Sequence, residues 1–226
     1  MNNRIKMVVL LFAGIMFMSC GSVKVLDSWK GDSENIEKFK EKNVLVIART
    51  ANDHARIAFE ENIANALKAR GIKATESFKK APKIYPNREI SEERVALIKS
   101  LMASEGFNGV VLTVIKDKQQ TERTSSSGIY VGASYAGYYP GYYGSFYNYY
   151  SYPYAFGPYY DSFGGYVPMS TSTRTYTTYV LETVAYNLDE PSENQLVAIV
   201  TSSIDDPKEA YKTAEQYVAQ MMKSLK

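Results

Sequence analysis

One imidazole, one thiol and a few carboxylates are the groups from which this chain would have to build chemistry. His54 follows Asp53 at the start of a helical pattern and is the only side chain that ordinarily titrates near neutrality. A catalytic dyad would need a nucleophile beside it, and the spacing points instead to an exposed first-turn histidine. Arg56 and Glu60 lie one helical turn apart, the spacing of an ordinary surface ion pair. Glu61 projects about 100 degrees away from Glu60 around a helix, so the two carboxylates do not cooperate. Glu182 interrupts an otherwise apolar strand, TYVLETVAY, where a buried carboxylate must be paired, for example with Arg49. Asp205 and Asp206 precede Pro207 as helix-capping residues, and further oxygen ligands are not spaced for calcium.

Motifs of established chemistry do not occur. There is no G-x-S-x-G elbow, no phosphate-binding G-x-x-x-x-G-K-[ST], no G-x-G-x-x-G and no H-E-x-x-H. A single Cys and a single His exclude a disulfide framework and a Cys/His metal cluster. The sequence thus assigns no catalytic residue, no metal site and no cofactor, and the chain reads as a non-enzyme. Its 226 residues carry 26 Lys and Arg against 24 Asp and Glu. Without Arg4 and Lys6 the charges balance, which excludes a strongly basic protein that tracks nucleic-acid phosphates.

Arg4 and Lys6 open the N-terminus, a twelve-residue apolar run follows from Met7 to Met18, and Ser19, Cys20 and Gly21 close it. This is a charged region, an apolar core and a small-residue cleavage site. Twelve helical residues rise about 18 Å, short of the roughly 30 Å needed to span a bilayer. The only Cys stands where the apolar run stops. FMSC, residues 17–20, resembles the lipobox of bacterial lipoproteins, although Phe17 stands where Leu is usual. That resemblance implies cleavage before Cys20, acylation of its thiol and a membrane anchor, with more than one acyl chain needed for stable attachment. Gly21 rather than Asp after the Cys implies an outer-membrane address by the sorting rule of enteric bacteria.

The remaining pattern is that of one α/β domain with an insert. Residues 1–19 are expected to be the signal peptide and 20–42 a lipidated tether. Val44 to Ala48 reads as a buried strand, and Phe59, Ile63, Ala66 and Leu67 stripe a helix capped by Asp53 and stopped by Gly71. Ile72 to Ser77 forms a second strand. Ser91 caps a second helix that ends near Gly106, and Val110 to Ile115 is the third strand. Thr175 to Leu188 and Leu196 to Ile204 make an antiparallel hairpin. A last helix begins at Asp205 or Asp206, with Pro207 in its first turn and an apolar stripe from Tyr211 to Leu225. The expected order is β-α-β-α-β-β-β-α, a mixed five-stranded sheet with a parallel core of three, formed by residues 43–118 and 174–226.

The strand NVLVIAR, the helix carrying Arg56 and Glu60, and GFNGVVLTV leading into the third strand resemble the small α/β domain of uncharacterised bacterial envelope lipoproteins, similar to the TolB N-terminal, LpoB and CsgG-like domains. The resemblance implies a scaffold or protein-binding module of the envelope, and carries over no partner-binding residue.

Residues 119–173 form a low-complexity insert between the third and fourth strands. From Tyr130 to Tyr166 there are 14 Tyr among 37 residues, and between Thr124 and Thr173 the only charge is Asp161. YYPGYYG, residues 138–144, makes Tyr138, Tyr139, Tyr142 and Tyr143 the candidate partner-binding residues, because Tyr supplies apolar area with a polar tip at small rotamer cost. A loop without a dedicated ligand, and a long hairpin extending the third and fourth strands, are the other two readings. Nucleic acid is rejected as a partner, since no Lys or Arg lies between Arg123 and Arg174. If the insert is peripheral, the domain should keep a cooperative thermal transition without it. The expectation is a lipid-anchored, non-enzymatic envelope protein, anchored through acylated Cys20 and binding an envelope protein partner. The alternative is an oligomerising accessory subunit of a secretion or wall-synthesis complex.

Overall fold

A computed structural model describes residues 22–83, 90–123, 128–132, 146–147, 164–168 and 174–226. NVLVIAR forms strand β2 (Asn43–Arg49), in which every residue after Asn43 is buried. Both faces of a strand can be this apolar only when both are covered. On one side β2 pairs in parallel with β3 (Lys73–Glu76), on the other in parallel with β4 (Gly109–Arg123). The helices α2 (Asp53–Lys68) and α3 (Glu92–Ser104) carry the two crossovers. Each helix is followed by a glycine with positive φ, Gly71 at 81° and Gly106 at 66°, as their positions in the sequence require.

Strand β7 (Arg174–Asn187) runs antiparallel to β4, and β8 (Leu196–Asp205) antiparallel to β7. The sheet has six strands in the order β1-β8-β7-β4-β2-β3, not the expected five. The sixth, β1 (Val23–Lys30), lies in the stretch read from sequence as tether and pairs antiparallel with β8. A bulge between Val25 and Asp27 breaks its alternation of buried and exposed positions, which is why VKVLDSWK does not announce a strand. Helix α1 (Ser33–Lys40) follows, capped by Asp32, whose carboxylate accepts from Asn35 N at 2.8 Å.

The side chains of β2 alternate between two cores, as a pleated strand demands. Leu45 and Ile47 point to the side of α3, where Ile98, Met102, Val184 and Tyr186 close around them. Val44, Val46 and Ala48 point to the side of α2 and of the last helix, α4 (Ala210–Ser224), where Phe59, Ile63, Tyr217 and Val218 pack. Phe59 and Tyr217 join the two helices with ring centroids 5.3 Å apart.

The starts of two helices differ from the sequence reading. Helix α2 is capped by Asn52, which accepts from Ala55 N, rather than by Asp53. Helix α4 starts at Ala210, several residues after the expected caps. Asp205 N donates to Ser22 O and Asp206 N to Thr177 O, so sheet pairing continues there, and Asp206 turns the chain with φ of 46°. Asp205 binds Thr178 Oγ1 and Lys24 across the sheet instead of capping a helix.

The insert is built on a continuation of β4 and β7. These strands stay paired out to Arg123 opposite Arg174, and β5 (Gly128–Gly132) then pairs antiparallel with β6 (Gly164–Pro168) as a two-stranded ribbon.

Candidate functional site

The candidate site lies where β2 finishes, at Arg49 opposite Val114 in the middle of β4. The chain leaves β2 through α2 to reach β3 on one side, then returns through α3 to β4 on the other. This reversal opens a crevice outside the strand ends, the usual location of a site in such sheets. A cavity of about 370 Å³ occupies it, between the N-terminal turns of α2 and α4. Phe59, Val114, Ile115, Tyr179, Leu181 and Ile204 give it a mainly apolar wall. The hydroxyl of Thr113 in that wall lies 2.7 Å from Thr183 Oγ1, which lies 2.7 Å from Tyr217 OH, a closed chain within the protein. Burial pushes the Tyr217 phenol far above its ordinary range, so it stays neutral.

His54 stands exposed at the rim of the cavity. Its neighbour Asp53 is held below the usual carboxylate range by a hydrogen bond from Lys83 at 2.8 Å. Among the described residues no three His, Cys, Asp or Glu side chains gather into a set that could hold a metal ion.

Arg56 and Glu60 are not the surface pair that their spacing suggested. Glu60 is fully buried and Arg56 nearly so. Glu60 accepts from Arg56 Nε at 3.1 Å, Ala48 N at 3.0 Å, Ser77 Oγ at 2.8 Å and Phe78 N at 2.7 Å, and Arg56 also donates to Ala81 O. The pair therefore ties α2 to the end of β2 and to the turn after β3. A signal for this was present: residues 56, 59, 60, 63, 64 and 67 form one helical stripe, all of it buried.

Glu182 is buried, as expected of a carboxylate in that strand, and pairs with Lys116 at 3.5 Å across the β4 bulge. Arg49 lies in the same row of the sheet, opposite Val114, which lies opposite Glu182. Asp117, beside that bulge, has its carboxyl raised by burial. Cys20 and the candidate contact residues Tyr138, Tyr139, Tyr142 and Tyr143 lie outside the described residues.

Among the described residues of the insert, Phe146 enters the core and Tyr147 packs against it. Phe146 is fully buried among the side chains under α3, with its ring 5.9 Å from that of Tyr186 and 5.0 Å from Tyr147. Lys99 of α3 sits over the Tyr147 ring at 4.8 Å. Sequence offered no signal for this, since a lone Phe in YGSFYNY has no periodic neighbours.

Glu76 makes a testable contribution to stability at the far edge of the sheet. Burial raises its carboxyl, but hydrogen bonds from Lys79 and Lys68 outweigh that and hold it below the ordinary value of 4.5. A depressed folded value means stability that is present above pH 4.5 and is lost as the pH falls through that folded value. Denaturant titrations from neutral to acid pH should show Glu76→Gln less stable at neutrality and flatter in its acid limb than the wild type. Parallel curves would contradict this role.

No family model matches the chain, and no curated protein matches it. Among solved structures it is similar to the PelC dodecamer from Paraburkholderia phytofirmans, with 10% identity and a TM-score of 0.38 over 90% of this chain and 95% of that one. A variant of that dodecamer in another crystal form gives 11% identity and a TM-score of 0.39, over 91% and 98%.

Proposed function

We propose that the chain is a lipid-anchored, non-enzymatic protein of the bacterial cell envelope, held in the outer membrane by acylated Cys20 and acting as a scaffold or protein-binding module. The observation that carries this reading is the position of the only thiol between two features. An apolar run too short to span a bilayer ends at Met18, and the folded sheet begins at Val23. Ser22 is already fixed, accepting from Asp205 N at 2.9 Å and donating to Gln216 Oε1 at 3.2 Å. No helix among the described residues is long and apolar enough to cross a membrane, so in this reading attachment falls to the lipid.

The buried ionisable groups support a structural rather than a catalytic account. Glu60, Arg56 and Ser77 are bound to one another and to backbone, and Glu182 is paired with Lys116. The Tyr-rich insert, including Tyr138, Tyr139, Tyr142 and Tyr143, is the proposed contact element for an envelope partner.

Fractionation of cells producing the full chain tests the anchor. The wild type should stay with membranes through a high-salt wash, while Cys20→Ala should lose that salt-resistant attachment. Equal, salt-resistant retention of both proteins would contradict lipid anchoring.

A further inference from the structure

The sheet brings the proposed anchor and the base of the insert to the same end. Val23 lies opposite Ile204, Ile204 opposite Tyr179, and Tyr179 opposite Lys118, so these four residues share one level of the sheet. Beyond that level β4 and β7 continue through five more pairs to Arg123 opposite Arg174, about 17 Å further along the strands. Cys20 is three residues before Val23 and reaches at most about 11 Å in the same direction. Strands β4 and β7 therefore extend past any level that Cys20 can occupy, and only four residues separate the end of β4 from the start of β5.

We propose that the β5/β6 ribbon seats the domain on the bilayer, lying in the polar–apolar interface of the leaflet that holds the Cys20 lipid. The proposal rests on acylation of Cys20. With the lipid fixed at that end, a domain that stands on the membrane drives the ribbon against it, and a domain that leans over lays the ribbon along it.

The composition of the ribbon fits that location. GIYVG and GGYVP contain no charged residue, and Tyr130 lies directly opposite Tyr166. Tyrosine is enriched where bilayer meets water, because its ring is apolar and its hydroxyl is not. An isolated two-stranded ribbon is marginal in water, and the interface supplies the apolar contact it lacks. Its open edges exclude the hydrocarbon centre, where unpaired backbone groups have no partner. At the base, Arg123 and Arg174 are register partners. Basic residues at that level are favourable beside the phosphates of an anionic leaflet.

Depth-dependent quenching tests this with the full-length lipidated protein in vesicles of phosphatidylethanolamine and phosphatidylglycerol. Trp29, the only native Trp, lies near the opposite end of β1 and serves as the internal control. Tyr130→Trp and, separately, Tyr166→Trp report on the ribbon. The new fluorescence should be quenched several-fold more by a nitroxide near the lipid carbonyl than by one at the chain terminus, with Trp29 unaffected. Acylated, vesicle-bound protein whose residue 130 and 166 reporters are unquenched would overturn the ribbon proposal and leave the anchor intact. Stronger quenching from the chain terminus would overturn it in favour of a spanning element. Protein that carries no lipid would overturn both.

Discussion

Glu60→Ala is expected to lower the stability of the domain by about 3–5 kcal/mol, the usual consequence of removing one member of a buried ion pair. In a domain of this size that corresponds to a fall in Tm of roughly 10 °C. The reason lies in what the substitution leaves behind. Arg56, nearly buried, would lose the carboxylate that faces Nε and keep only Ser77 Oγ and Ala81 O as acceptors. Ala48 N, which is buried, and Phe78 N, which is half-buried, would also lose their acceptor, and an unsatisfied buried donor is costly in its own right. Arg56→Met combined with Glu60→Met should recover part of the loss, because the orphaned charge is then gone. Recovery should stay incomplete, because the two backbone donors remain orphaned. Thermal and denaturant unfolding of the three proteins measures this directly. A Glu60→Ala protein within 1 kcal/mol of wild type would show that the network is not integral to the fold.

Phe146→Ala is expected to cost about 3–5 kcal/mol, the range for truncating an aromatic side chain in a core. The ring is fully buried under α3, and Ile98, Met102 and Tyr186 belong to the same core. Replacing residues 124–173 by a short Gly-Ser bridge removes the same ring and should lose at least as much stability. A peripheral insert would let the remainder keep its cooperative transition on deletion, and the burial of Phe146 argues for the opposite outcome. A deletion protein as stable as wild type, or a silent Phe146→Ala, would mean that the core closes without the insert.

What the sequence made legible follows from how strongly each element repeats its pattern. The parallel core was readable because β2 and the first half of β4, residues 110–115, are apolar almost throughout, and the helices between the strands have clear stops at Gly71 and Gly106. Strand β1 was not, because its bulge puts Val25 and Asp27 out of step and half of its residues are only partly buried. Helix α1 has one fully buried side chain, Phe39, which is too little for a stripe, although Asp32 and Glu34 mark its start. Arg56 and Glu60 were read with the correct spacing and the wrong exposure, since charged residues in an apolar stripe look like its border. The hairpin that carries the insert was one of three readings. Only tertiary pairing distinguishes it, because Gly, Ser and Thr at residues 124–132 have no alternation to read.

The central claim is that Cys20 carries the lipid that holds this domain in the envelope. The intact mass of protein extracted from membranes, for the full chain and for Cys20→Ala, tests it most directly. The account predicts loss of residues 1–19 together with added acyl chains in the wild type, and no acylated species for Cys20→Ala. An unmodified full-length mass for the membrane-extracted wild type would contradict it.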